Sequence, residues 1–174
     1  MELLLPEAIA KKLHTALKVG GSQEIGGLLM GEHMAGDTFR VVDISVQTLQ
    51  GTHSTFERDP DEHRAQLAEF FTRTGADYTR FNYLGEWHSH PSFEPLPSSK
   101  DMRTMRSIVS DPRVGVNFAV LIIVRLVHRD RLAMSATAVL PDGSAQAVSM
   151  KTEGAAVLAA PTLWHRIVRW LTNW

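Results

Sequence analysis

The chain has 174 residues and no cysteine, with 44% hydrophobic residues, 21% charged residues and a formal net charge of −1. This length suits one domain with a sizeable core, and the missing cysteines exclude disulfides, thiolate nucleophiles and cysteine metal ligands. The balanced charge leaves no global basic field for nucleic acid. The N-terminal residues do not follow the pattern of a signal peptide, and no apolar run reaches the roughly 18–20 residues of a membrane span. We therefore expect a cytoplasmic protein.

The spacing of apolar residues divides the chain into helices and strands. Apolar residues recur at helical spacing after Pro6, and Gly20 ends that pattern. A second helix opens at Pro60, with Asp59 as its N-cap. The elements predicted in chain order are a helix from Pro6 to Gly20, strands over 24–30 and 39–46, a polar loop over 51–58, a helix from Pro60 to Gly75, a strand over 81–90, a proline-rich loop over 92–97, a helix beyond it, a hairpin of strands over 116–127 and 132–140, one strand over 145–150 and a helix from Pro161.

This order predicts a mixed α/β (α+β) fold, with one largely antiparallel sheet flanked by helices. No linker long enough to separate two domains is visible, so we predict one domain over residues 1–160. Residues 161–174 predict an amphipathic C-terminal helix that packs on the domain or contacts a partner. Its apolar face consists of Leu163, Trp164, Ile167, Val168, Trp170, Leu171 and Trp174.

Two histidines at the end of one predicted strand are candidate metal ligands. Residues two apart in a strand point to the same face, so His88 and His90 can converge on one ion. A catalytic zinc takes three nitrogen or oxygen ligands and keeps one position open. Asp101 can supply the third ligand, because it lies eleven residues after His90 in the first turn of the next helix. Pro95 and Pro97 would stiffen the loop between them.

The same residues also have simpler interpretations. A histidine pair at this spacing occurs by chance or as a half-buried pair in a strand. Ser98 and Asp101 have the spacing of a capping box, in which the serine simply caps the helix. An aspartate near a helix N-terminus is stabilised by the helix dipole whether or not it binds a metal.

The combined pattern resembles the JAMM, or MPN-plus, family of zinc metalloproteases. His88-Ser-His90, seven residues, Ser98, two residues and Asp101 match the signature of that family without a gap. The segment that begins Glu24-Ile-Gly-Gly is similar to the family's first-strand segment. The resemblance covers most of the predicted domain. It implies the JAB/MPN-type fold, which is similar to that of cytidine deaminases.

The resemblance implies a role for each of these five residues. His88, His90 and Asp101 would hold one Zn²⁺ per chain together with a water, whose pKa falls to about 7 on zinc. Glu24 would be the general base that takes the proton and passes it to the leaving amine. Ser98 would donate a hydrogen bond to the oxyanion.

A second glutamate competes for the role of the base. Glu86 is on the same strand face as His88 and could accept the proton, or it could orient a ligand histidine. We favour Glu24, because the family pattern places the general base in the early strand. Trp87 points to the other face and is predicted to be core. The remaining histidines have no partner spacing and are interpreted as structural: His14, His33, His53, His63, His128 and His165.

The resemblance also implies a substrate, namely an isopeptide bond after the C-terminus of ubiquitin or a ubiquitin-like protein. The short loop from Pro91 to Ser98 and the segment Gly85-Glu86-Trp87, which leads into His88, are similar to those of bacterial JAMM proteases of antiphage operons. The expected partners are a ubiquitin-like protein, its conjugates and the activating and conjugating (E1/E2-like) enzymes of the same operon. A non-catalytic MPN scaffold, a hydrolase acting on a sulfur carrier or small peptide, and a JAMM-like domain of DNA repair remain alternatives.

Overall fold

The computed structural model describes residues 1–47, 60–128, 131–153 and 158–159. The helices within these ranges are α1 (Glu7–Gly20), α2 (Pro60–Arg73) and α3 (Ser99–Ser110). The strands are β1 (Glu2–Pro6), β2 (Gly26–Ala35), β3 (Thr38–Ile44), β4 (Phe81–Ser89), β5 (Ala119–Val127), β6 (Arg131–Val139), β7 (Ala145–Ala147), β8 (Ser149–Glu153) and β9 (Leu158–Ala159). No helix in the described part of the chain is long and apolar enough to cross a membrane.

The described strands form one mixed sheet in the order β7-β6-β5-β4-β2-β3-β1-β8, with β9 paired to β6. The three longest ladders, β5–β6, β2–β4 and β2–β3, are antiparallel. The pairs β4–β5, β1–β3 and β1–β8 are parallel. The prediction of a largely antiparallel sheet flanked by helices is thereby confirmed.

The prediction of a single strand over 145–150 is wrong. This stretch holds β7 and β8, which lie at opposite ends of the strand order and are separated by Val148 alone. The sheet therefore curves until its two edges approach each other. Val148 is buried at this crossing, and its N–H donates to the carbonyl of Ala136 at 3.0 Å. Periodicity cannot reveal such a switch, because β7 pairs with the preceding strand β6, whereas β8 pairs with β1 near the other end of the chain.

β1 is absent from the sequence-based prediction. It has only five residues and runs directly into α1, so its alternation of buried and exposed residues is too short to predict a strand. Its parallel partners β3 and β8 are far away in the chain. The predicted loop over 51–58 and the predicted helix from Pro161 lie outside the described residues, and they stay predictions.

Two hydrophobic clusters cover the two faces of the central strands. On one face, Trp87 and Ile122 pack with the buried residues of α1. On the other face, Leu121 and Ile123 pack with α3 through its methionines and Val109. Because Ile123 is the register partner of His88, the strand register puts His88 on the face that α3 covers. Trp87 is fully buried, as predicted, and its Nε1–H donates to the carbonyl of Ser45 at 2.9 Å.

Candidate metal centre

The candidate ligands meet where the end of β4 faces the first turn of α3. His88 is near the last residue of β4, His90 follows that strand, and Asp101 is in the first turn of α3. Met102 and Met105, one and four residues after Asp101, are buried against β5. This packing fixes the start of α3 beside the strand end. The fold thus brings together two histidines and a carboxylate that ten intervening residues separate in the chain.

The three side chains are spaced as the ligands of a tetrahedral ion are. The Nε2 atoms of His88 and His90 lie 3.2 Å apart. Asp101 Oδ1 is 3.4 Å from the first of these nitrogens, and Oδ2 is 3.7 Å from the second. A tetrahedron whose ligands lie about 2.0–2.1 Å from its centre has edges of about 3.3 Å. These residues are the group that could hold a metal within the described ranges, and they fit zinc in both donor type and spacing.

The ring of His90 is oriented for coordination through Nε2. Its Nδ1 lies 3.3 Å from the carbonyl of Glu94, a contact that requires Nδ1–H to donate. The lone pair then resides on Nε2, the atom that faces His88. Burial lowers the pKa of His90 and the neighbouring His88 lowers it further, against the opposing effects of the Glu94 carbonyl and Asp101. The neutral ring that metal binding needs is therefore favoured.

Hydrogen bonds from two strands, β5 and β6, anchor the loop between His90 and α3. The Nη1 of Arg125 in β5 donates to the carbonyl of Phe93 at 2.8 Å. The hydroxyl of Ser135 in β6 donates to the carbonyl of Pro95 at 2.5 Å. Both anchors fix backbone rather than side chains, so the path of the loop does not depend on the identity of its exposed residues.

Ser98 and Asp101 form a complete capping box at the start of α3. The Asp101 N–H donates to the Ser98 hydroxyl at 3.2 Å, and the Ser98 N–H donates to Asp101 Oδ2 at 2.6 Å. Burial raises the pKa of Asp101, but the hydrogen bond and charge of His88 and the bonds from Ser98 outweigh it, so this pKa falls to about 2. The simple capping interpretation is thus correct, but it does not exclude function. The exposed Ser98 hydroxyl accepts this bond and also hydrogen-bonds the Asp101 carboxylate, so it serves the cap both as acceptor and as donor.

Glu24 lies just before β2 and is buried, with 6% of its surface exposed. Burial raises the pKa of this carboxyl, and the charge of Asp101 adds to the rise, while His88 and Lys100 lower it. The β2–β4 ladder, in which Gly26 pairs with His88 and Ser89 N–H donates to the Ile25 carbonyl, puts Glu24 at the ligand end of β4, although it is not one of the three converging residues. A carboxylate with a raised pKa beside a metal site has the chemistry of a proton acceptor.

Glu86 does not belong to the converging group either. It is half-buried in β4 and pairs in register with Leu121, which puts it on the α3 face two residues before His88. Its position there agrees with the sequence-based interpretation of a carboxylate near the ligands.

Some of the histidines interpreted as structural lie within the described residues, and two lie outside them. His63 is buried and hydrogen-bonded to Ser45 Oγ at 2.7 Å and to Gln47 Oε1 at 2.9 Å. His33 is exposed and stacks on Phe39. His53 and His165 lie outside the described residues.

Ser89, the residue between the two histidines, is a functional candidate that the motif does not single out. It is fully buried, and its hydroxyl accepts the N–H of Ile25, the residue after Glu24, at 3.0 Å. A small polar residue at the end of an apolar strand was the available signal for such a bond.

A buried pair of histidines and a carboxylate at a strand end, with a second buried carboxylate beside them, are the features of a candidate hydrolytic metal centre. The family model described as prokaryotic homologs of the JAB domain matches residues 6–138. The chain belongs to this family. The resemblance to JAMM, or MPN-plus, proteins is therefore confirmed.

Curated relatives agree with this assignment. The chain is 32% identical to ubiquitin carboxyl-terminal hydrolase RPN11 of Saccharomyces cerevisiae over 90 residues, which are 52% of this chain and 28% of that protein. It is 35% identical to the CD-NTase/cGAS isopeptidase of Vibrio cholerae over 91 residues, which are 51% of this chain and 56% of that protein. The matches therefore span less than two thirds of the length of these relatives.

A solved structure has the same fold. The solution structure of protein DSY2949 from Desulfitobacterium hafniense is similar with a TM-score of 0.65 and 19% identity. The similarity covers 88% of this chain and 94% of that chain. At this identity the comparison establishes the fold alone.

Proposed function

We propose that this chain is a zinc-dependent isopeptidase that cleaves after the C-terminus of a ubiquitin-like protein. The observation that carries the proposal is the convergence of His88, His90 and Asp101: the two Nε2 atoms lie 3.2 Å apart, and each lies 3.4–3.7 Å from one of the two Asp101 carboxylate oxygens. Glu24 is buried, and the strand that follows it pairs with the strand of His88. The printed names of the yeast and Vibrio relatives, a ubiquitin hydrolase and an isopeptidase, support the same chemistry.

In this proposal each residue acts through a contact that its position allows. The histidine Nε2 atoms and the Asp101 carboxylate hold the metal, and the Glu94 carbonyl keeps His90 in the correct tautomer. Bound zinc supplies Lewis acidity that acidifies water and polarises the amide carbonyl. Glu24 accepts the proton of the attacking water and delivers it to the leaving amine, for which its raised pKa suits it. Ser98 turns its exposed hydroxyl hydrogen from the Asp101 carboxylate to the oxygen on which negative charge develops.

The proposed substrate is the extended tail of a ubiquitin-like protein joined to an amine. The proposed setting is a bacterial antiphage conjugation system, supported by the Vibrio relative named as a CD-NTase/cGAS isopeptidase. In that setting the protein acts in the cytoplasm, on conjugates or precursors made by E1-like and E2-like enzymes of the same operon. The proposed catalytic domain extends over residues 1–160. The C-terminal helix predicted over 161–174 lies outside the described residues and stays a prediction.

The direct test uses a fusion of the cognate ubiquitin-like protein to a reporter. The zinc-loaded protein should cut the fusion between the tail and the reporter, and a chelator should stop the reaction. Glu24→Gln should keep the fold and the zinc but abolish turnover, because only the proton acceptor is lost. Glu86→Gln, the matched control on the neighbouring strand, should be milder or should weaken zinc binding. Turnover, elemental analysis and circular dichroism on the same samples measure the three properties.

Three results would contradict parts of this proposal. Zinc binding without cleavage of any fusion would indicate a non-catalytic scaffold. Equal cleavage of a tail-truncated fusion or of unfolded peptides would indicate a general peptidase. An inactive Glu86→Gln beside an active Glu24→Gln would exchange the roles of the two glutamates.

A further inference from the structure

The β2–β4 ladder ends in an irregular pair next to the candidate metal centre. In a regular antiparallel ladder, alternate residue pairs exchange two N–H···O=C bonds. The ladder begins at Gly26 paired with His88, so Ile25 and Ser89 form the next pair. The Ser89 N–H donates to the carbonyl of Ile25 at 2.8 Å, as expected. In the return bond, the Ile25 N–H donates to the Ser89 hydroxyl at 3.0 Å, so a side chain takes the place of the strand carbonyl.

This exchange occurs where β4 leaves β2. The residue after Ser89 donates its N–H to Val124 in β5 at 3.0 Å, so the chain there follows β5 towards Pro91. Ile25 and Ser89 are both fully buried, which leaves no water to satisfy the Ile25 N–H. The Ser89 hydroxyl therefore keeps the segment before β2 paired to β4 after the regular ladder has ended.

The bond lies between the groups that the proposed reaction must align. Ile25 directly follows Glu24, the proposed base, and Ser89 lies between the proposed ligands His88 and His90. Because side chains alternate along a strand, the Ser89 hydroxyl points away from the face of His88. The bond thus connects the backbone of the base to the backbone of the ligands without touching the reacting atoms.

We propose that Ser89 is a positioning residue that holds Glu24 in register with His88 and His90. This role rests on the proposed function, in which Glu24 accepts the proton. Without the hydroxyl, the segment before β2 loses one hydrogen bond to β4, and the carboxylate of Glu24 moves relative to the ligands. Misplacement of a catalytic group by about 1 Å can cost on the order of 100-fold in rate.

The chain offers a matched control for a purely structural effect. The hydroxyl of Ser45 accepts the N–H of Leu28 at 2.7 Å, and Ser45 is also fully buried. This is the same type of bond, to the same strand β2, on the side away from β4. Ser45→Ala removes it without loosening the residue that follows Glu24.

The test compares Ser89→Ala, Ser89→Thr and Ser45→Ala, each loaded with zinc to the same measured occupancy. Ser89→Ala should lower kcat for the ubiquitin-like fusion roughly 10–100-fold with little change in KM. Ser89→Thr, which keeps the hydroxyl, should restore kcat. Ser45→Ala should lower the melting temperature yet leave kcat close to that of the unmodified protein. If Ser89→Ala does not fold, Ser89→Cys serves instead, because its thiol is of similar size and a weak acceptor.

Amide hydrogen exchange measured by NMR gives a readout that needs no turnover. Exchange of the Ile25 amide should accelerate at least about tenfold in Ser89→Ala, and exchange of the Leu28 amide should accelerate in Ser45→Ala. A kcat of Ser89→Ala equal to that of Ser45→Ala at full zinc occupancy would overturn the positioning role and leave the proposed function intact. A zinc-loaded unmodified protein that cuts no fusion would overturn the proposed function and, with it, this role.

Discussion

Within the described residues, two buried polar clusters each contain histidine: Ser45, His63 and Gln47 on one side of β2, and His88, His90 and Asp101 at the end of β4. They differ in whether each hydrogen-bond acceptor has a donor. In the first cluster, the Leu28 N–H donates to Ser45 Oγ, and Ser45 Oγ lies 2.7 Å from His63 Nδ1. Nε2 of His63 faces the carbonyl-type oxygen Oε1 of Gln47, so it carries the hydrogen, and the Ser45 hydroxyl donates to Nδ1. Every one of these contacts therefore joins a donor to an acceptor.

The second cluster, at the candidate metal centre, has too many acceptors. His90 uses its Nδ1–H on the Glu94 carbonyl, so its Nε2 presents a lone pair to His88 Nε2 at 3.2 Å. The Asp101 carboxylate adds further acceptors 3.4–3.7 Å from both nitrogens. One proton on His88 could satisfy one of these contacts but not all three, whereas a cation between them satisfies all three. Burial of a histidine therefore does not by itself indicate a ligand: His63 is buried among matched donors and acceptors, whereas two histidine nitrogens and a carboxylate face one another at the candidate metal centre.

The largest effect is expected from removing one candidate metal ligand, Asp101, from the second cluster. Asp101→Ala should lose the zinc, and hydrolysis should fall to background, because two histidines alone leave the site one ligand short. Added zinc should raise the melting temperature of the unmodified protein, since ligand binding to the folded state stabilises it, but not that of the variant. Elemental analysis and thermal melts with and without zinc measure both effects. A variant that keeps one zinc per chain would remove Asp101 from the ligand set.

The corresponding change in the first cluster should have the opposite profile. His63→Ala should destabilise the fold by about 2–5 kcal/mol, because it leaves a cavity and buried groups without their partner. Zinc content and the kcat of the folded fraction should stay near normal. Loss of zinc at full folding would show that the two clusters are not independent.

Ser98 has an intermediate expected effect, because it serves both the helix and the proposed reaction. Ser98→Ala should lower stability by about 0.5–2 kcal/mol through loss of the cap. If its hydroxyl hydrogen also stabilises the oxyanion, kcat should fall on the order of 10²–10³-fold with zinc retained. Substrate binding should survive, because the charge develops only during the reaction. A near-normal kcat at full zinc occupancy would leave Ser98 as a cap alone.

The sequence predicted which three side chains converge better than it predicted the pairing of the strands. His88, His90 and Asp101 could be proposed as a group because a strand places alternate residues on one face and the capping box marks the start of α3. The parallel pairings of β1 have no local signal, since its partners β3 and β8 lie far along the chain. The separation of β7 from β8 has none either, because β7 pairs with the preceding strand β6 but β8 pairs with the distant β1. The same reason hides the role of Ser89, whose partner Ile25 is 64 residues away.

The smallest expected effect on stability comes from Asp43 and its two ion pairs, which differ from the two buried clusters because their cations are exposed to water. Asp43 accepts hydrogen bonds of 2.7 Å from Lys12 in α1 and from Arg73 in α2, and both cations are about half exposed. Burial raises the pKa of Asp43, but the bonds from Arg73 and Lys12 and from the Ile44 N–H outweigh it, so this pKa lies below its usual 3.8. The contribution to stability is therefore fully present above pH 3.8 and is lost as the pH falls through the lower value of the folded state.

Asp43→Asn should cost no more than about 1 kcal/mol at neutral pH, because solvent screens such pairs. Urea unfolding of the metal-free protein and its variant should show this difference at pH 7 and a smaller one at high salt. The two stabilities should converge as the pH falls well below 3.8, where both side chains are neutral. A difference that stayed constant to low pH would assign the effect to packing of the Asp43 side chain. A difference of several kcal/mol would place Asp43 with the buried clusters, where removal of one partner leaves the others unsatisfied.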